Sequence, residues 1–166
     1  MIVAAERDGV KVFLESMYEV LLLGHLVVTF VLVGSLVHDL FCVVGFCRGR
    51  FGKSRIQKRY VKVGFWCYVI VYVLGALIYP AYRVYIRGGC FDQGLPWATG
   101  LFEVKEHWGA LGLAFFVVYY LLRRSFEPDQ EKDKLYFYVP LCVLLNVILW
   151  YKVVVGCYLA ILKGTP

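Results

Sequence analysis

Several kinds of chemistry are missing from this sequence. It has no glycine-rich phosphate loop, no nucleophile elbow and no HExxH pair, the local signatures of nucleotide hydrolysis, ester hydrolysis and zinc proteolysis. Its six cysteines form no CxxC or CxxCH pattern, which leaves out a zinc ribbon, a dithiol centre and c-type haem attachment. Charge is scarce, with Asp, Glu, Lys and Arg making up only 18% of the residues. The chain does not open with a basic-then-apolar leader ending in a small-residue cleavage site. No repeat suggests the paired halves of a transporter. A net charge of +6 comes without a DNA- or RNA-binding signature, so nucleic acid is not an expected partner.

What is present is apolar. Hydrophobic residues reach 61%, aromatic residues 17%, and the mean hydropathy is +0.68. This exceeds what one soluble core of 166 residues would use. The expected fold class is therefore an all-α integral membrane protein, a four-transmembrane-helix bundle running up-down-up-down. Residues 1–17, with Glu6, Arg7, Asp8, Lys11 and Glu15, form an interfacial N-terminal segment. The transmembrane domain occupies 18–162, with helices over about 18–46, 63–84, 101–122 and 135–162, and 163–166 is a C-terminal tail. The first run exceeds the ~20 residues that span a bilayer.

The charges orient these spans. Arg48, Arg50, Lys53, Arg55, Lys58, Arg59 and Lys62 make a basic loop without an acid, and Arg123, Arg124, Lys132 and Lys134 mark the second loop on that side. By the positive-inside rule both loops are cytoplasmic, so both termini lie outside. The first loop also suits anionic lipid headgroups, although topology alone accounts for it. The expected location is a bacterial cytoplasmic membrane or an equivalent organellar inner membrane. Pro80 is expected to kink or stop the second helix, and Gly88 to Gly100 to form an ordered outer turn.

Ionisable residues within such spans are costly and point to function. The densest group is Glu103-Val104-Lys105-Glu106-His107. With ~1.5 Å of rise per residue, His25 and His107 both lie roughly 10 Å below the outer interface, on first and third helices that take diagonal corners of the bundle. Two histidines at one depth suit haem iron gripped from both faces. Gly24, Gly75, Gly109 and Gly112 offer clearance for a porphyrin. Arg83 or Arg87 can fork onto a propionate, and Glu103 can orient the His107 ring. Lys152 reaches the same layer and either snorkels, pairs with Glu103 or Glu106, or contacts a haem carboxylate or a quinone carbonyl. The plainer alternative is helix packing, with small residues and histidine hydrogen bonds serving the contacts.

The arrangement from Tyr18 to Leu162 is similar in architecture, though not in any motif, to the four-helix b-type cytochrome subunits that anchor respiratory oxidoreductases. That resemblance implies a membrane subunit carrying one haem b between His25 and His107, exchanging electrons with quinone or a redox partner, and associated with other membrane-protein subunits and the lipid bilayer. Two other classes stand beside it. One is a non-catalytic accessory subunit in which Glu103, Arg83, Arg87 and Lys152 fix helix register; the other is a small transporter or membrane enzyme. His38 and Asp39 read as a polar pair at a helix end, and the cysteines as packing residues.

Overall fold

A computed structural model describes residues 14–164. The expected interfacial segment over 1–17 and the tail over 163–166 fall largely outside the described residues. Among those residues the chain is all-helical. A 3-10 turn, Glu15–Met17, leads into α1, Tyr18–Cys47, and α2 follows as Ser54–Tyr82. After a π-helical segment, Arg83–Phe91, and a helical turn, Asp92–Gly94, come α3, Pro96–Ser125, and α4, Leu135–Gly164.

These helices form in spite of Pro80 and Pro140 within two of them, because much in them is apolar on every side and a helix satisfies its own backbone polar groups. Exposed large hydrophobic residues, among them Phe30, Phe41, Val73 and Phe137, cover their outer faces, as expected of helices surrounded by lipid rather than water. Among the described residues three stretches are long and apolar enough to cross a membrane: Tyr18–Cys47, Ser54–Gly94 and Lys132–Leu162. The third helix, α3, is not one of them. Glu103, Lys105, Glu106 and His107 occupy its first half and leave a shorter uncharged run from Trp108 to Leu122.

Two boundaries differ from the sequence expectation. Hydropathy places the second helix at Val63, but it begins at Ser54. Lys, Arg and Gln are good helix formers, so the basic stretch divides into a short connection and more than two turns of helix. The expected outer turn at 88–100 is mostly helical as well. The chain continues through Pro80, widens into the π-helical segment from Arg83, and breaks only at Leu95, where φ is −141° and ψ 63°. Pro96 then opens α3 at a position where its missing N–H costs nothing.

The four helices pack in a ring. α1 lies against α2 and α4, and α3 against α2 and α4, so α1 and α3 sit on opposite corners, as expected. The short connection after α1 turns on Gly49, whose φ of +73° is a conformation that glycine adopts without steric cost. Arg48 and Arg50 both donate their N–H to the Gly45 carbonyl there (3.0 and 2.9 Å). Two apolar clusters result. The larger, with Leu36, Phe46, Phe116, Tyr119 and Tyr138 at its centre, fills the basic end, which bears the α1–α2 and α3–α4 connections. The smaller, around Phe91, Phe102 and Leu159, fills the opposite, terminal end.

Candidate functional site

The sequence directs attention to the terminal half, where a polar layer does form. Glu106 accepts an ion pair from Lys105 (3.2 Å), and the Lys105 ammonium also lies over the Phe102 ring at 4.6 Å. Lys152 extends from α4 to the backbone of Gly109, where an added Cβ would collide with its Nζ. His25 lies within electrostatic reach of Lys105, Lys152 and Glu106. Its ring rests on Gly75, with Cε1 3.6 Å from where a Cβ would stand. Its Nδ1 is buried without a hydrogen-bond partner. Thus α1, α3 and α4 each contribute an ionisable side chain to the layer, and α2 contributes Tyr68, whose hydroxyl donates to the Gly109 carbonyl (3.0 Å).

His107 does not join this group. It is exposed, and its Nδ1 bonds the Glu103 carbonyl of its own helix at 2.7 Å. The Glu103 carboxylate, expected to orient that ring, instead accepts from Arg87 Nη1 (3.0 Å), while Arg87 Nε faces Asp92 (3.5 Å). Arg83 is exposed. The inner face of α3 is set by Phe102, Gly109, Gly112 and Phe116. His107 is two residues from Gly109, or roughly 200° around the helix. The clearance expected beside the histidines is also filled. A Cβ on Gly112 would meet the Tyr68 hydroxyl and stand 3.0 Å from Ile148 Cγ2, and the space at Gly109 belongs to Lys152. These residues do not fit a porphyrin held between His25 and His107. Of the two histidines expected at the iron, His25 faces inward, near two lysines, and His107 faces outward.

A second polar group, whose Asp39 is expected from sequence in a helix-end pair and whose Arg123 is expected as a topology signal, is more deeply buried. Asp39, Gln57, Tyr119 and Tyr138 have no exposed surface, and Arg123 is 1% exposed. Asp39 accepts from Gln57 Nε2 (2.5 Å) and Tyr119 (2.7 Å), and Cys142 Sγ stands at 3.5 Å. Gln57 Nε2 also donates to the Tyr138 hydroxyl (2.5 Å), and Gln57 Oε1 accepts from Arg123 Nε. The rest of the guanidinium donates to the Phe126 carbonyl (2.9 Å) and to the Ser54 carbonyl and hydroxyl (3.0 and 2.7 Å).

This network joins all four helices. It balances a carboxylate against a guanidinium through an intervening amide, the type of arrangement that buried charge requires. The Asp39 carboxylate is surrounded by donors, as an acceptor-only group should be. At the surface it continues to Glu127, which accepts from Ser54 and Lys58 (both 3.1 Å). Burial would raise the Glu127 carboxyl, but those hydrogen bonds and the charges of Arg123 and Lys58 together hold it below the ordinary carboxylate range. The signal was a spacing of four. Tyr119 and Arg123 share a face of α3, and Tyr138 and Cys142 a face of α4.

The chain matches no family model, no curated protein and no solved structure.

Proposed function

We propose that this protein is a small accessory subunit of a membrane complex, a rigid helical element that packs against lipid and other membrane subunits and performs no chemistry of its own. The observation that carries this reading is the closed network of Asp39, Gln57, Arg123, Tyr119 and Tyr138. It uses side chains of all four helices, and the donors and acceptors named above engage one another within the bundle. Buried polar groups satisfied in this way rigidify and specify a packing. The basic end faces the cytoplasm on this reading, with both termini across a bacterial cytoplasmic membrane or an organellar inner membrane, and all four helices spanning. Tagged protein extracted in mild detergent is expected to run in a stoichiometric assembly well above its own 19.1 kDa. A stable, monodisperse, isolated monomer extracted under the same conditions would overturn the proposal.

A second reading has one observation in its favour. The orphaned Nδ1 of His25, near Lys105 and Lys152, suits a lipid-soluble ligand with carbonyl oxygens, of which a quinone is the natural example. Electron transfer would then be a property of the assembly. The haem-carrying version is the weaker one, because it needs His107 to leave its own helix face. Fluorescence quenching by added ubiquinone analogue, lost in His25→Ala and Lys152→Met, is the expected result; unaltered quenching in both variants would remove this reading. A difference spectrum of reduced against oxidised protein, expressed with ample haem, tests the haem version separately.

A further inference from the structure

The basic end carries a second feature, which the network does not use. Beside the turn that joins α1 to α2 lies a groove of about 320 Å³, lined by Phe41, Val44, Gly45, Arg48, Arg50 and Lys53. This is at the lower end of the ~300–1,000 Å³ typical of small-molecule sites. Its two walls differ in chemistry. Phe41 (72% exposed) and Val44 belong to the outer, lipid-type face of α1, whereas the rim is three cations. None of the ion pairs among the described residues involves Arg48, Arg50 or Lys53. In contrast, neighbouring Lys58 is bound to Glu127.

The rim is also held in place. The N–H groups of Arg48 and Arg50 are tied to Gly45, and Phe51 stacks on Phe46 with centroids 5.8 Å apart. Binding therefore falls to the three side chains, whose backbone is already ordered.

We infer that this groove binds the phosphate of an anionic phospholipid, with Arg48, Arg50 and Lys53 around the headgroup and an acyl chain lying along Phe41 and Val44. Guanidinium groups match phosphate oxygens as a fork, and a free phosphate shares that chemistry. The apolar wall is what selects the lipid as the source. Continuity with the exposed apolar face of α1 lets the chain enter from the bilayer, while unpaired cations at a membrane surface attract anionic headgroups. This site does not depend on the accessory-subunit reading, since it concerns lipid and not the partner subunits.

The test is native mass spectrometry of the full chain in detergent, titrated separately with phosphatidylglycerol, phosphatidylcholine and inorganic phosphate. Phosphatidylglycerol should be retained about tenfold or more over phosphatidylcholine, and the combined variant Arg48→Gln, Arg50→Gln, Lys53→Gln should lose that preference. A charge-matched control, Arg55→Gln, Arg59→Gln, Lys62→Gln, changes exposed residues outside the groove and should keep it. Phe41→Ala should weaken lipid retention without altering any phosphate signal. Equal loss in the control triple would mean diffuse attraction by the basic end. Inorganic phosphate binding as strongly as the lipid would mean that the acyl chain plays no part. Either result overturns the inference, and helical circular dichroism of each variant confirms that the comparison is between folded proteins.

Discussion

The two polar layers use similar residues to different effect. At the basic end a carboxylate and a guanidinium are removed from solvent and joined through Gln57, with tyrosines closing the sides. Toward the terminal end the ions are half-exposed, paired with neighbours such as Arg87 with Glu103 and Lys105 with Glu106, and His25 is left with an unbonded nitrogen. The difference teaches where polar residues act as structure. A fully buried charge must have every bond made, and its network consequently fixes the helices; a half-exposed charge can be relieved by water or headgroups and fixes much less.

The largest effect should come from breaking the first layer. Asp39→Ala would take the acceptor from Gln57 Nε2 and the Tyr119 hydroxyl and leave Glu127 as the carboxylate facing Arg123, at a cost of about 3–5 kcal/mol, measured by thermal unfolding in detergent. Because Arg123→Ala removes the opposite charge of the same network, the double variant should cost clearly less than the sum of the singles. Additive losses would mean that the layer is not one unit. Gly112→Ala should follow, at about 1–3 kcal/mol of overpacking against the Tyr68 hydroxyl and Ile148. Gly34→Ala, with nothing within 4 Å, serves as the control that should not lower the melting temperature, since Ala is the better helix former.

Tyr68→Phe tests the second layer more gently. It deletes the hydroxyl bond to Gly109 and should cost about 1 kcal/mol, seen in the same melting experiment. The smallest effect belongs to the solvated edge. Lys58→Gln removes an exposed ion pair with Glu127, at a cost of roughly 0–1 kcal/mol. Glu127 titrates lower in the folded chain than it would unfolded. Its contribution is therefore present at pH above the unfolded carboxylate's pKa and is lost as pH falls through the lower, folded pKa. Melting temperatures measured from neutral to acidic pH should fall less in Lys58→Gln than in the unaltered protein.

Much of the architecture was legible because composition and hydropathy report directly on the surroundings of a helix. The membrane class, four long helices and the diagonal relation of first and third helices all follow from length, charge and short connections. Azimuth was less accessible. Counting residues gives height along a helix, so His25 and His107 shared a level, but only packing determines which way each ring points. Arg123 shows the converse problem. At the end of an apolar run it is indistinguishable from a topology signal, and its burial depends on Ser54 and Gln57 belonging to a helix that hydropathy places nine residues too late (Ser54 against Val63).

That early start has a mechanical consequence. Ser54–Gly94 is a continuous helical stretch of 41 residues, roughly 60 Å at the usual rise, about twice the ~30 Å hydrocarbon thickness. Its uncharged middle, Val63–Tyr82, is close to one thickness, with Arg59 and Lys62 beyond one end and Arg83 and Arg87 beyond the other. Shifting the rod in either direction would drag cations into hydrocarbon. It resembles a bolt with a head at each end, and it sets the height at which the rest of the bundle can ride in the bilayer.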